Sequence, residues 1–469
     1  MTDAIVVGAG PNGLAAAVTL ARQGLSVTVL EAADTIGGGT RSGEAILPGL
    51  LHDHCSAVHP MAVGSPFLND LDLARHGLRW RLPEIDCVHP LDDGTAGVLH
   101  RSVEETATAL GRDGRRWRQL FAGPSAAYDE LAGDIMGPQL RIPRHPLLLA
   151  RFGLPALLPA TALARLFATE QARALFAGVA AHAFQPLHHP LSSSIGLGIL
   201  TAGHRHGWAV AEGGSRAITD ALAALLTELG GTIETGVRVR AAGDLPPARI
   251  TMYDLAPTAV ADILGERLPP RSARAYRSYR YGPGAFKVDF AVEGGVPWAA
   301  GAARRAGTVH LGGTLAEVAA GEREIQSGRL PARPFVLVGQ QYLADPARSV
   351  GDIHPLWTYA HVPNGYTGDA TEAITAQIER YAPGFRERVV GTAVCSTADF
   401  PVYNPNYVGG DILTGAKTIP QLLLGPRGLA NPYRTGLPGH YLCSAATPPG
   451  PGAHGMCGYH AARTALAAL

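Results

Sequence analysis

The segment from residue 4 to residue 31 constrains this chain more than any other. Residues 4–7 (AIVV) form an unbroken apolar run, the pattern of a strand buried on both faces of a parallel sheet. Gly8-Ala9-Gly10-Pro11-Asn12-Gly13 follows directly, and Leu14, Ala17, Val18 and Ala21 then recur at helical spacing. Gly24 offers a left-handed helix stop, residues 26–30 (SVTVL) read as the next strand, and Glu31 stands at its carboxyl end. Each residue type answers a physical need. Gly8 permits a tight strand-to-helix turn, Gly10 lets backbone approach a pyrophosphate, and Gly13 lets helix and strand pack closely. The helix start, led by Pro11, presents unpaired N–H groups from Asn12 onward and a partial positive charge to phosphates. Glu31 is placed to accept hydrogen bonds from ribose hydroxyls, and its charge repels a 2′-phosphate. Strand, turn, helix, strand and terminal acid at this spacing predict a dinucleotide site.

The next residues run Ala32-Ala33-Asp34-Thr35-Ile36-Gly37-Gly38-Gly39-Thr40-Arg41. An acid followed by paired glycines and an arginine resembles the flavoprotein amine oxidase and phytoene desaturase superfamily. The resemblance implies that Gly37, Gly38 and Gly39 run along the pyrophosphate of FAD, with Ala32, Thr40 and Arg41 beside it. The family often has Gly-Gly-Arg directly; here Gly39 and Thr40 stand between. Further on, residues 207–215 (GWAVAEGGS) precede a helix bearing Ile218, Leu222, Leu225, Leu226 and Leu229, then strands at 232–235 and 237–239. The same resemblance implies that the backbone of Val239 meets the adenine. Residues 249–255 (RITMYDL) read as a further strand of that sheet.

The C-terminus carries the second signal. Residues 441–445 read as a buried strand ending at Ala445, residues 447–455 (TPPGPGAHG) are a Pro/Gly loop, and a small-residue helix starts near Met456. In the superfamily this element sets backbone N–H groups against the ribityl chain and pyrimidine edge of the flavin. That implies contacts from Ala445, Pro449, Gly450, Gly452, His454, Gly455 and Met456, with the helix dipole stabilising negative charge there. Residues 53–60, 180–187, 282–298 and 431–458 together resemble the phytoene-desaturase-like branch that includes pyridine nucleotide-disulfide oxidoreductase domain-containing protein 2. The implied fold is α/β: a single Rossmann-type, glutathione-reductase-like FAD-binding domain and a discontinuous α+β substrate domain. The expected division is 1–75, 208–265 and 425–469 for FAD, with 76–207 (mainly helical) and 266–424 (strand-containing) for substrate. No second GxGxxG-with-acid unit and no CxxC pair occur, since Gly196-x-Gly198 lacks the later glycine. A disulfide-reductase architecture and an NAD(P)H site are therefore not expected.

Composition excludes other classes. Formal net charge is zero, which disfavours nucleic acid. The five cysteines are scattered, which suits a reducing cytoplasm. The most apolar stretch, 152–164, is bounded by arginines and broken by Pro155 and Pro159, too short to span a bilayer. A buried helix pair is the expectation, with peripheral membrane contact and homo-oligomerisation left open. The paired histidines 52/54 and 204/206 lack a third ligand at metal spacing, so no metal is expected.

A flavin does its own redox chemistry, so the informative side chains are those near its N5. Only two of 39 basic residues are lysine, Lys287 and Lys417. By resemblance to flavin amine oxidases, Lys287 in the strand 285–292 is the candidate to hold water at N5 and assist oxygen reactivity; a snorkelling surface lysine is the other reading. His454 in the flavin loop is the second catalytic candidate. His54 and His59 are candidates for the roof, His182 for the substrate side, and Trp357, Tyr359 and Tyr366 for an aromatic wall; structural roles remain open for each. The expected activity is hydride removal from an apolar small molecule, with reoxidation by oxygen or a quinone-like acceptor. A redox-neutral polyene isomerase and a non-catalytic FAD-stabilised scaffold are the alternatives.

Overall fold

The computed structural model describes residues 2–138, 140–426, 428 and 431–469. The strands Ala4–Val7, Val27–Leu30, Thr232–Glu234, Ile250–Tyr253 and His440–Leu442 form one five-stranded parallel sheet. Their order across it is 440–442, 250–253, 4–7, 27–30, 232–234, with Ala4 paired to both Val27 and Ile250. Alternate residues feed two cores. Ala4, Val6, Val27, Val29 and Met252 pack under the helices Pro11–Ala21, Arg216–Glu228 and Met456–Leu466. Ile5, Val7, Leu30 and Tyr253 pack against Val260 and Leu264 of the helix Pro257–Leu264 and Tyr276 of the helix Pro270–Arg277. Burial on both faces is why these strands are continuous apolar runs rather than alternating ones.

The second sheet has seven strands and is largely antiparallel, in the order 389–395, 284–293, 353–362, 336–339, 306–311, 85–90, 96–99. One face carries Phe286, Val288 and Phe290 onto Ile374 and Ile378 of the helix Thr371–Tyr381. The opposite face carries Ala285, Leu337, Trp357 and Tyr359 toward the helices Glu170–Ala180 and Ser192–His206.

The region 76–207, read as mainly helical, also holds a hairpin: Ile85–Pro90 and Ala96–Leu99 complete the second sheet. One sequence expectation changes. Residues 237–239 form no strand, although Val237 N–H still donates to Glu31 O at 2.8 Å. The expected domain division remains a proposal. It leaves both sheets whole, and the packing of Leu268 and Tyr276 beneath the parallel sheet argues for extending the second FAD segment through 277. Residues 427, 429 and 430 of the third segment lie outside the described set. The stretch 152–164 forms parts of two helices, Pro146–Ala156 and Ala160–Ala164. Among the described residues no helix is long and apolar enough to cross a membrane.

Candidate functional site

Backbone contacts dictate the glycines at the first turn. Gly8 has φ +101°, a conformation side chains disfavour, and its N–H donates to Leu30 O at 2.8 Å. A Cβ on Gly13 would collide with the Gly8 carbonyl oxygen. The second glycine turn crosses the first: Gly37 N–H donates to Ala9 O at 2.9 Å, and a Cβ on Gly38 would lie 3.0 Å from Gly10 Cα. Glu31 binds this crossing together. Its Oε2 accepts from Ala9 N–H at 2.8 Å, its Oε1 accepts from Ala33 N–H at 2.9 Å, and Arg41 Nη2 lies 3.5 Å from Oε1. Each oxygen keeps acceptor capacity for a ligand hydroxyl.

A third element clamps the second turn. Arg41 Nη1 donates to Tyr403 O at 2.9 Å, its guanidinium lies 5.2 Å over the Tyr403 ring, and Tyr403 Oη donates to Gly38 O at 2.7 Å. A Cβ on Gly39 would collide with the Tyr407 hydroxyl, and Thr40 Oγ1 donates to Gly37 O at 2.8 Å. Tyr403 and Tyr407 were not legible as site residues; they follow a loop with no motif.

The chain's last helix closes the site. A Cβ on Gly458 would collide with Asn12 O, so the two helices touch backbone to backbone. Gly455 also packs closely, its added Cβ falling 2.9 Å from Ala15 Cβ. His454 braces the join: its Nδ1 accepts from Met456 N–H at 3.1 Å and its carbonyl accepts from Ser65 Oγ at 2.7 Å. Burial lowers its pKa to about 4, so it stands as a neutral imidazole.

These elements enclose one cavity of about 890 Å³. At the nucleotide end, Gly8, Gly10, Pro11, Asn12, Glu31 and Ala32 line it. Gly38, Gly39, Thr40 and Arg41 form an adjoining wall, and Val239 lies farther along. From the C-terminal element Ala445, Pro449, Gly452 and His454 reach it. Gly13, Gly37, Gly450, Gly455 and Met456 are not in the lining; Gly13 and Gly37 act behind it through the contacts above. Asp254 was missed. Its Oδ2 accepts from Gly13 N–H at 2.9 Å and would sit 2.6 Å from a Cβ on Gly10, directly over the glycine turn. Burial, reinforced by the Glu31 charge and opposed by the Gly13 N–H, pushes its pKa up to about 7. The available signal was its place at the carboxyl end of a strand already assigned to the sheet, the edge where such sheets bind ligands.

The far end is apolar and aromatic, walled by Phe152, Ile195, Trp208, Leu337, Trp357 and Tyr359. His59 and His182 are its lining histidines. His59 Nε2 lies 2.8 Å from Ser215 Oγ, and burial lowers its pKa to about 4. His182 Nε2 lies 3.1 Å from His310 Nε2, so one nitrogen carries the shared proton. Burial, with His361 adding to it, lowers His182 to about 3. His54 stands outside the lining, 5.5 Å from the Tyr403 ring, and Tyr366 also stands outside it. Lys287 is 2% exposed, ion-paired to Asp289, with Nζ 6.0 Å from the centre of the Trp357 ring. Cross-strand register sets Lys287 opposite Tyr359 and Asp289 opposite Trp357, on the chamber face of the sheet but behind its lining. Lys417, the other lysine, lines the cavity, where burial lowers its pKa against the opposing pull of Asp411.

This arrangement fits a flavin adenine dinucleotide. Two crossed glycine turns hold no side chain in the path, a helix start faces them, and an acid ends the second strand. Asn12 Oδ1 and Ser444 Oγ are buried on the cavity wall without a hydrogen-bond partner among the described residues.

A protein-family model described as an NAD(P)-binding Rossmann-like domain matches residues 6–70. The chain is 25% identical to pyridine nucleotide-disulfide oxidoreductase domain-containing protein 2 of Mus musculus, over 98% of this chain and 92% of that protein. It is 30% identical to hydroxyneurosporene desaturase of Cereibacter sphaeroides, over 56% of this chain and 54% of that one. Putrescine oxidase with putrescine bound superposes at a TM-score of 0.64 and 19% identity, covering 99% of both chains; this likeness is one of fold.

Proposed function

We infer that this chain, a member of the FAD-dependent superfamily that includes phytoene desaturases and flavin amine oxidases, removes a hydride from an apolar small molecule. One observation carries the reading: a single cavity continues from the glycine cradle to an aromatic, largely apolar chamber. Bound in the cradle, FAD supplies the two-electron acceptor for that hydride, and oxygen or a quinone-like acceptor restores it. A cytoplasmic setting and self-association belong to the same proposal.

The chain's own residues orient and exclude water. Glu31 and the helix start at Pro11 and Asn12 hold the nucleotide end, while Ala445, Pro449 and Gly452 form the loop that meets the far half. Trp208, Trp357 and Tyr359 shape the chamber. His59 and His182 stay neutral near pH 7, so they offer hydrogen bonds to substrate rather than charge. Lys287 carries Asp289 on its ammonium and so presents a compensated pair behind Trp357. Its proposed part in oxygen reactivity acts through that ring. His454 holds the closing loop and acts by position.

The test starts from purified protein. Chromatography of the denatured supernatant should recover FAD, and anaerobic addition of apolar amines or partly saturated hydrocarbons should bleach its visible absorbance. Peroxide formed in air marks an oxidase; dependence on an added quinone marks a dehydrogenase. A correctly folded preparation that takes up no FAD ends this reading.

A further inference from the structure

From Ile135 to Thr169 the sequence holds no aspartate or glutamate but four arginines, Arg141, Arg144, Arg151 and Arg165, in a chain whose overall charge is zero. The same stretch is rich in leucine; Leu163 is buried and Leu148 and Leu149 pack against the core, but the structure turns several others outward. Ile142 is 93% exposed, Leu147 87% and Leu154 67%, and Leu140, Leu157 and Leu158 stand out beside them. On the helix Pro146–Ala156, Leu147 and Leu154 are seven residues apart and share one face. The opposite face buries Phe152 and Ala156 against the Ser192–His206 helix and its neighbours. Phe152 itself lines the cavity, as do Ile135 and Met136 just ahead of the stretch. One helix thickness therefore separates an exposed apolar surface from the apolar chamber.

Burial cost makes this surface informative. Soluble proteins seldom leave a contiguous group of large apolar side chains in water without a use for it. The arginines add direction. Some exposed arginines elsewhere pair with acids, as Arg22 does with Asp70, Arg81 with Glu212 and Arg386 with Glu372; this stretch has no acid of its own to pair with. Among the described residues, no ion pair involves Arg144, Arg151 or Arg165, and all three are exposed. Leucines facing outward with unpaired arginines around them suit an interface where acyl chains lie beneath negative headgroups.

We propose that residues 140–166 dock the protein on an anionic lipid bilayer, the helix Pro146–Ala156 lying in the interface and passing apolar substrate from the acyl phase to the cavity behind it. The delivery clause rests on the apolar-substrate reading above; the docking does not. A second copy of this chain covering the same face is the competing occupant, and the experiment separates the two.

Holoprotein is mixed with vesicles of phosphatidylcholine alone, or of phosphatidylcholine with phosphatidylglycerol, and the pelleted fraction is measured. Binding should appear with phosphatidylglycerol and weaken as salt rises. Leu147→Glu with Leu154→Glu should weaken partitioning at least about tenfold, since two leucines no longer leave water. Arg144→Gln and Arg151→Gln should each cost roughly fivefold. All four positions are exposed, so bound-flavin absorbance and thermal melting should match the unmodified protein. The proposal is overturned if the protein stays in the supernatant with both vesicle types. It is equally overturned if the leucine variant pellets as well as the parent, or if sedimentation shows a dimer that these substitutions split without any vesicle binding. A protein that binds vesicles yet holds no flavin keeps the docking and loses the function proposed above.

Discussion

Asp254 sets a carboxyl group against the glycine turn on the cavity wall. Its Oδ2 occupies the Gly13 N–H at the start of the first helix, and its pKa is pushed up to about 7. A carboxyl group raised in the folded state binds more protons than in the unfolded chain, so its contribution to stability falls as pH climbs from about 4 to about 7. A pyrophosphate arriving beside it favours the protonated form still more. FAD binding should then take up a proton, and affinity should fall by up to about tenfold per pH unit above about pH 7. Flavin fluorescence quenching across pH reads this directly, and Asp254→Asn should flatten the profile. The same slope in the Asn variant would sink the idea. Glu31 acts through two accepted backbone hydrogen bonds. Glu31→Ala strips the acceptor from Ala9 and Ala33 N–H and loosens the turn crossing, so FAD should bind roughly 10- to 100-fold more weakly, about 1–3 kcal/mol. At Lys287 two effects separate. Removing the ammonium leaves Asp289 buried without its cation, which should cost about 3–5 kcal/mol of stability. Lys287→Met with Asp289→Leu should recover most of that in a denaturation experiment. If the double variant also keeps the parent rate of reoxidation by oxygen, the lysine's redox role is rejected.

At the scale of elements, the join between the first and last helices holds the cradle closed. Gly458 meets Asn12 O with no room for a methyl group, so Gly458→Ala should push the closing helix off the glycine turn. We expect a cost of about 1–3 kcal/mol and early flavin loss on heating. Gly133→Ala is the matched control, in a helix with nothing within 4 Å of an added Cβ; it should melt no lower than the parent. The elements that sequence reasoning found share one property: their pattern is local. The first strand, its helix and the strands near residues 284–293 and 353–362 announce themselves by period. The hairpin strand Ile85–Pro90 does not, because Asp86, His89 and Pro90 interrupt it. Those polar groups are tolerated through distant partners. Asp86 accepts from Trp208 N–H at 3.1 Å, and His89 Nε2 lies 2.8 Å from Gly313 O.

Across the molecule, a buried charge network ties the two sheets' segments together. Arg348, 1% exposed, donates to Asp53 Oδ2 at 2.6 Å, to Asp345 Oδ2 at 3.1 Å and to Ala211 O at 2.7 Å. Asp53 in turn accepts from Ser215 N–H at 2.7 Å, and Ser215 meets His59 on the cavity wall. Three stretches far apart in sequence thus meet at one guanidinium. Arg348→Met should leave Asp53 buried without its partner, at a cost of about 3–5 kcal/mol. Calorimetry should show a lower Tm, together with weaker flavin retention because His59 loses its support. A variant with unchanged Tm and retention would mean that the network carries no such load.

The amino-acid order alone determined the dinucleotide cradle, since a turn forced by glycine, a helix start and an acid at a strand end lie within thirty consecutive residues. It also determined that a second glycine-rich element ends in a small-residue helix. Tertiary structure alone decided what those pieces enclose. Asp254 over the turn, Tyr403 against Arg41, His182 beside His310 and Arg348 between two aspartates are contacts across long sequence separations. No local period or spacing encodes them, because packing and the pairing of buried polar groups select such partners only after the sheets have formed.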